Sequence, residues 1–72
     1  MDVTVDSHYA DLVSKVKKEW GTFDILVHSL AFAEREDLSE PFSKTSRAGF
    51  LKACDISAYS LVGLAHHLSP LM

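Results

Sequence analysis

A single cysteine, Cys54, stands in a chain of 72 residues, so no internal disulfide can form. It sits between Ala53 and Asp55 in an apolar helical pattern and reads as a small buried hydrophobe. No base or helix N-terminus lies beside it to make it a nucleophile. No run of basic residues occurs, and seven Lys and Arg against ten Asp and Glu leave a net charge of −3. That balance argues against a nucleic-acid binder. No uncharged apolar stretch is long enough to span a bilayer. The opening Met1-Asp2-Val3-Thr4-Val5-Asp6 lacks the positive and apolar regions of a signal peptide. These absences predict a soluble cytoplasmic protein. There is also no internal repeat and no low-complexity segment.

What is present is an ordinary globular composition: 47% hydrophobic and 24% charged residues, too apolar for a disordered segment. The length allows at most one small domain. Asp6 and Ser7 are N-cap candidates, followed by Tyr9, Leu12, Val13, Val16 and Trp20 at helical spacing. Asp11 and Lys15 stand in the favourable order four apart, and Lys15, Lys17 and Lys18 suit the negative end of the helix dipole. Gly21 supplies a stop. The pattern predicts a helix over 7–20. After the turn 21–24, Ile25-Leu26-Val27-His28 is continuously apolar up to its polar end. It reads as a parallel strand buried on both faces. Small residues follow it, as at the ligand-facing end of a strand in an α/β sheet.

Glu34-Arg35-Glu36-Asp37 reads as a solvated loop or short helical turn, and Pro41 holds Glu40 extended. Ser43, Thr45 and Ser46 are candidate caps of a second helix carrying Phe50, Leu51, Cys54, Tyr59, Leu61, Val62, Leu64, Ala65 and Leu68. It runs to about Leu68, roughly 35 Å. Its apolar residues cover much of the circumference, which predicts burial on several sides. The order is a scrap of strand, helix, strand, loop, long helix, which is part of a βαβ system.

Several of these residues together resemble a family. They are Asp2-Val3, Lys17-Lys18-Glu19-Trp20-Gly21, the run from Phe23 to Ala33, and Gly49-Phe50 followed by Asp55-Ile56-Ser57-Ala58-Tyr59-Ser60. They look like the NADH-dependent enoyl-acyl-carrier-protein reductases of the short-chain dehydrogenase/reductase superfamily. His28-Ser29-Leu30-Ala31-Phe32-Ala33 is the specific part, because most of the superfamily has an Asn-Asn-Ala-Gly type string there. The resemblance implies an α/β fold: a slice of a doubly wound parallel Rossmann-type sheet, with residues 1–72 an internal fragment of one dinucleotide-binding domain.

It also implies roles. Asp2 and Val3 match the pair that meets the adenine of NADH. Ser29, Leu30 and Ala31 match backbone that passes close to the cofactor, and Ile56 matches a residue packed near the adenine. Ala33 matches a position whose backbone faces the acyl substrate, and Leu38 matches an apolar wall of that pocket. An enoyl thioester carried on acyl carrier protein is the implied substrate, and the long helix resembles the one that builds subunit contacts in the family's tetramer. The family's chemistry uses a tyrosine seven residues before a lysine. Here Val16 and His66 stand seven after Tyr9 and Tyr59, and Val13 and Gly63 stand four after, so neither tyrosine fits. The glycine-rich phosphate turn is missing too. No catalytic residue is therefore assigned, both tyrosines read as packing residues, and the 72 residues alone are predicted inactive.

The remaining constellations are bland. His8, His28, His66 and His67 show no His-x-x-x-His spacing and no Cys-x-x-Cys accompanies them, so no metal site is predicted. His28 reads as a local hydrogen-bonding residue, and His66 and His67 as one exposed and one interfacial. Trp20 reads as a core or helix-end anchor. The alternative function is a non-enzymatic interaction protein that associates through its apolar strand and long helix.

Overall fold

Two helices meet over one buried tyrosine, and everything else in the chain is strung from that contact. A computed structural model covers residues 1–72. Helix α1 spans Asp6–Glu19, one residue earlier than the pattern predicts at each end. Its N-cap is Val5, which has no side chain to cap with, so Asp6 and Ser7 lie inside the first turn. Asp6 at the start and Lys17 and Lys18 at the end match the helix dipole. Gly21 ends it at φ 75°, a left-handed conformation that suits glycine.

The acidic cluster forms a short helix α2, Arg35–Ser39, and a 3₁₀ turn follows at Phe42–Lys44. Of the three candidate caps, Ser46 serves: its Oγ accepts from the Gly49 N–H at 3.0 Å. Helix α3, Arg47–Cys54, then runs without a break through a π-helical turn at Asp55–Tyr59 into α4, Ser60–Leu68.

Tyr9, at 2% exposure, forms the core with Leu64 and Leu68, and Val3, Leu12, Val13, Phe23, Leu26 and Leu71 pack around them. Gly63 makes this approach possible, because a Cβ there would meet the Tyr9 ring at 2.9 Å. The Tyr9 hydroxyl donates to the Val3 carbonyl at 2.7 Å. The Tyr9 ring stacks on His67 with centroids 4.8 Å apart. The His67 Nδ1 donates in turn to the Gly63 carbonyl at 2.8 Å.

The predicted α/β architecture is not what the chain forms. The structure contains helices and turns and no strand, so there is no parallel sheet and no Rossmann-type layer within residues 1–72. The reason is lateral. A strand exists only with a hydrogen-bonded neighbour, and residues 25–34 are the one long run outside helices, turns and bends. Ile25 and Val27 accordingly stand 79% and 77% exposed rather than buried on both faces, while Leu26 and His28 turn inward.

The same lack of neighbours leaves the long helix covered on one side only. Gly49, Ser60, Gly63, Leu64 and Leu68 are buried, whereas Phe50, Leu51, Cys54, Tyr59, Leu61 and Val62 are exposed. Cys54 is thus not a core residue, Tyr59 is not a packing residue, and Trp20 is exposed beyond the end of α1. The accessible surface is 5597 Å², where a compact protein of this mass has about 4,450 Å².

Replacing Gly63 by Ala tests the central contact. The change adds about 1 kcal/mol of intrinsic helix preference, yet the Tyr9 ring occupies the space the methyl needs. The thermal midpoint read by far-UV circular dichroism therefore falls in Gly63→Ala. A rise would mean that the ring gives way freely.

Candidate functional site

The N-terminal strap is fixed by side chains. Asp2 Oδ1 accepts from the Thr4 N–H at 2.9 Å and from the Thr4 hydroxyl at 2.6 Å, which makes an Asx-type turn. The Asp2 N–H donates to Nδ1 of His8, one turn into α1, at 2.8 Å. That leaves Asp2 Oδ2 free for an outside donor. The Thr4 side chain, then its backbone N–H, hold the Asp2 carboxyl below the usual carboxylate range.

The extended run is tied to the π-helical turn and the first residue of α4 by two serines. His28 Nε2 lies 2.7 Å from the hydroxyl of Ser60, which is fully buried and donates its own proton to the Ile56 carbonyl at 2.6 Å. Ser60 has one proton to give, so His28 is the donor and carries its proton on Nε2. Ser57 Oγ accepts from the Phe32 N–H at 2.9 Å and donates to the Phe32 carbonyl at 3.1 Å. Beyond it, Lys52 pairs with Glu34 at 2.8 Å and sits 5.2 Å from the Phe32 ring centroid. The Glu34 hydrogen bond and charge raise the Lys52 amine above its ordinary value.

These ties bring the strap and the run together. Asp2, Val3, Leu30, Ala31 and Ile56, together with Met1 and Phe32, line one groove of about 430 Å³. Five of the eight residues singled out from the sequence share it, although they come from three separate stretches of chain. Ser29 lies exposed next to the groove and does not line it. Ala33 is half-buried one residue past it, and Leu38 projects from α2 at 76% exposure, away from both.

The groove has apolar walls and one carboxylate at its rim. A carboxylate among apolar walls can accept a hydrogen bond from a ligand whose remaining surface is apolar. A second groove along α1 is lined by twelve apolar residues, among them Trp20, Ile25 and Val27, and offers no charged side chain to orient a ligand. No three His, Cys, Asp or Glu side chains converge as a metal-ligand set. No helix is long and apolar enough to cross a membrane.

Thr4, His8, Ser57 and Ser60 escaped the sequence reading. Asp-x-Thr is a recognisable turn signal and would have flagged Thr4. The serines carried no local signal, because their partners lie 25 and 32 residues away.

The pH behaviour of Asp2 follows from its lowered folded value. Its stabilising turn is complete above the unfolded carboxylate value and is lost as pH falls through the lower folded one. An NMR titration gives a midpoint for Asp2 below the ordinary 3.8, and Thr4→Val moves it back toward 3.8. A wild-type midpoint at or above 3.8 contradicts the turn.

With the geometry in place, the likeness to known proteins is informative. The family model described as enoyl-(acyl carrier protein) reductase matches residues 1–72. The NADH-type enoyl-[acyl-carrier-protein] reductase of a Nostoc species is 48% identical over 71 residues, covering 99% of this chain and 28% of that protein. The NADPH-type enzyme of Staphylococcus aureus is 46% identical over 72 residues, covering all of this chain and 28% of the relative. The crystal structure of the NADH-type reductase from Aquifex aeolicus superposes with a TM-score of 0.94 at 44% identity, over 99% of this chain and 31% of that one. That of the Bacillus cereus reductase with NADP+ and indole naphthyridinone gives 0.92 at 42% identity, over 100% and 28%. This chain thus spans less than a third of the length of the proteins it matches. A family match over every residue, and a backbone path shared with two solved reductases, place the chain in the enoyl-(acyl carrier protein) reductase family.

Proposed function

We propose that residues 1–72 form the adenine edge and part of the acyl pocket of an NADH-dependent enoyl-acyl-carrier-protein reductase, as part of one dinucleotide-binding domain. The observation that carries this is the shared groove: Asp2, Val3, Leu30, Ala31 and Ile56 converge from three stretches of sequence. Asp2 Oδ2 accepts from the adenine amino group and the Val3 backbone adds a contact. Ile56 packs against the ring. Ser29, Leu30 and Ala31 present backbone to the cofactor, and the small Ala31 side chain lets it come close. The Ala33 backbone and Leu38 face the acyl chain. When bound, NADH supplies a hydride to the 2,3 double bond of an enoyl thioester held on acyl carrier protein. The assembled enzyme is a cytoplasmic tetramer that takes subunit contacts from the α3–α4 helix, whose outer face carries exposed Phe50, Leu51, Leu61 and Val62.

No tyrosine in the chain stands seven residues before a lysine, so the chain lacks the pair that would assist proton delivery. The 72-residue protein alone shows no NADH oxidation with crotonyl-CoA above a blank. A second reading, association without catalysis, is favoured by the exposed Ile25, Val27 and Trp20. Light scattering on the eluting protein separates them: a stable pair or tetramer of the free chain favours association, and a monomer counts against it.

The reductase reading is tested by exchanging residues 1–72 for the matching segment of the full-length Aquifex aeolicus relative. The graft oxidises NADH, and NADPH more slowly, with crotonyl-CoA. Ala31→Phe in the graft raises KM for NADH about tenfold or more, because a large side chain fills the space where the backbone must approach. A folded graft without activity rejects the reading.

A further inference from the structure

We propose that Ser57 is a positioning residue: its hydroxyl clamps both backbone groups of Phe32 and so sets the spacing between the cofactor side and the acyl side of the site. The inference rests on the reading just given, in which Ala31 faces the cofactor and Ala33 the substrate. Phe32 is the one residue between them, and Ser57 takes its N–H at 2.9 Å and its carbonyl at 3.1 Å. From Asp24 to Ala33 the chain makes no backbone–backbone hydrogen bond. Its sole hydrogen bonds are this pair and the one from His28 to Ser60.

A hydroxyl suits the task because it donates and accepts at once. The pair it makes with Phe32 is the pair that a residue of a neighbouring antiparallel strand would exchange. One side chain thus stands in for a missing rung, and it does so from the π-helical turn that also carries Ile56. The turn delivers Ile56 to the groove and Ser57 to the backbone beside it, so the adenine wall and the Ala31–Ala33 step are set by two adjacent residues. Lys52 holds the next residues from the same helix, through Glu34 and the face of the Phe32 ring. Those contacts are exposed and have no grip on the backbone. Ser57 is the only group that touches both the N–H and the carbonyl of the residue between the two binding positions.

The test uses Ser57→Ala, which removes the hydroxyl, and Ser57→Thr, which keeps it. In the 72-residue protein, amide exchange read by NMR shows Phe32 losing about tenfold of its protection in Ser57→Ala, while Ser57→Thr retains it. In the graft, Ser57→Ala raises KM for crotonyl-CoA about fivefold or more while kcat changes less, and Ser57→Thr restores KM. A serine that merely stabilised the fold would instead lower the active fraction, seen as a fall in kcat at constant KM. The proposal is overturned if Phe32 exchange ignores the substitution, or if KM stays constant once Phe32 is released. An inactive wild-type graft with Phe32 still clamped by Ser57 rejects the reductase reading and leaves the clamp itself standing as a contact.

Discussion

The contact of Tyr9 with Gly63 is the constraint on which the rest of the structure depends. It lets α1 and α4 approach closely enough for one aromatic ring to be shared by three stretches of chain. The ring lies on the Gly63 backbone and stacks on His67, and its hydroxyl holds the Val3 carbonyl. Burial pushes the Tyr9 phenol up from its ordinary value, with Asp55 adding repulsion, so the neutral, donating form is kept. Because Val3 is anchored here, Asp2 is carried to the groove, and because α4 is anchored here, the π-helical turn is brought to the other wall. The groove is therefore a product of packing some distance away from it.

The groove itself is assembled from hydrogen bonds that a compact enzyme would make with strands. The extended run has no lateral partner, and hydroxyl groups of the long helix substitute at two points, Ser60 for His28 and Ser57 for Phe32. Ser60 meets the harder demand. It is buried completely, and a buried hydroxyl is tolerated only when paired; it is paired twice, to a ring nitrogen and to the Ile56 carbonyl. Side-chain pairing also explains how the same backbone path as in the solved reductases is held while no strand is formed.

What was legible in the sequence was local. Helical spacing from Tyr9 to Trp20, the Gly21 stop and the Ser46 cap each depend on a few neighbouring residues, and each appears where those residues place it. The clustering of Asp2, Val3, Leu30, Ala31 and Ile56 was legible through the resemblance, because no periodicity connects residue 2 to residue 56. The strand was misjudged for a physical reason. A continuous apolar run reports that both faces are meant to be covered, and it cannot report whether the covering segments are in hand. Ile25 and Val27 were assigned to an interior on that basis, and both are exposed. The long-range serine ties were illegible because a serine's role depends on which backbone it meets, and no spacing rule encodes that.

The exposed run from Asp24 to Ala33 has one more consequence. It contains no lysine and no proline, the residues that usually keep an unpaired edge from recruiting its own kind. Every second side chain at its start is apolar and outward, and nearly all its peptide groups are unclaimed. Such a segment is a self-adhesive tape, able to zip onto identical tapes in a cross-β ladder. For the free chain, those ten residues are the stretch most exposed to self-association, and a net charge of −3 is the main counterweight.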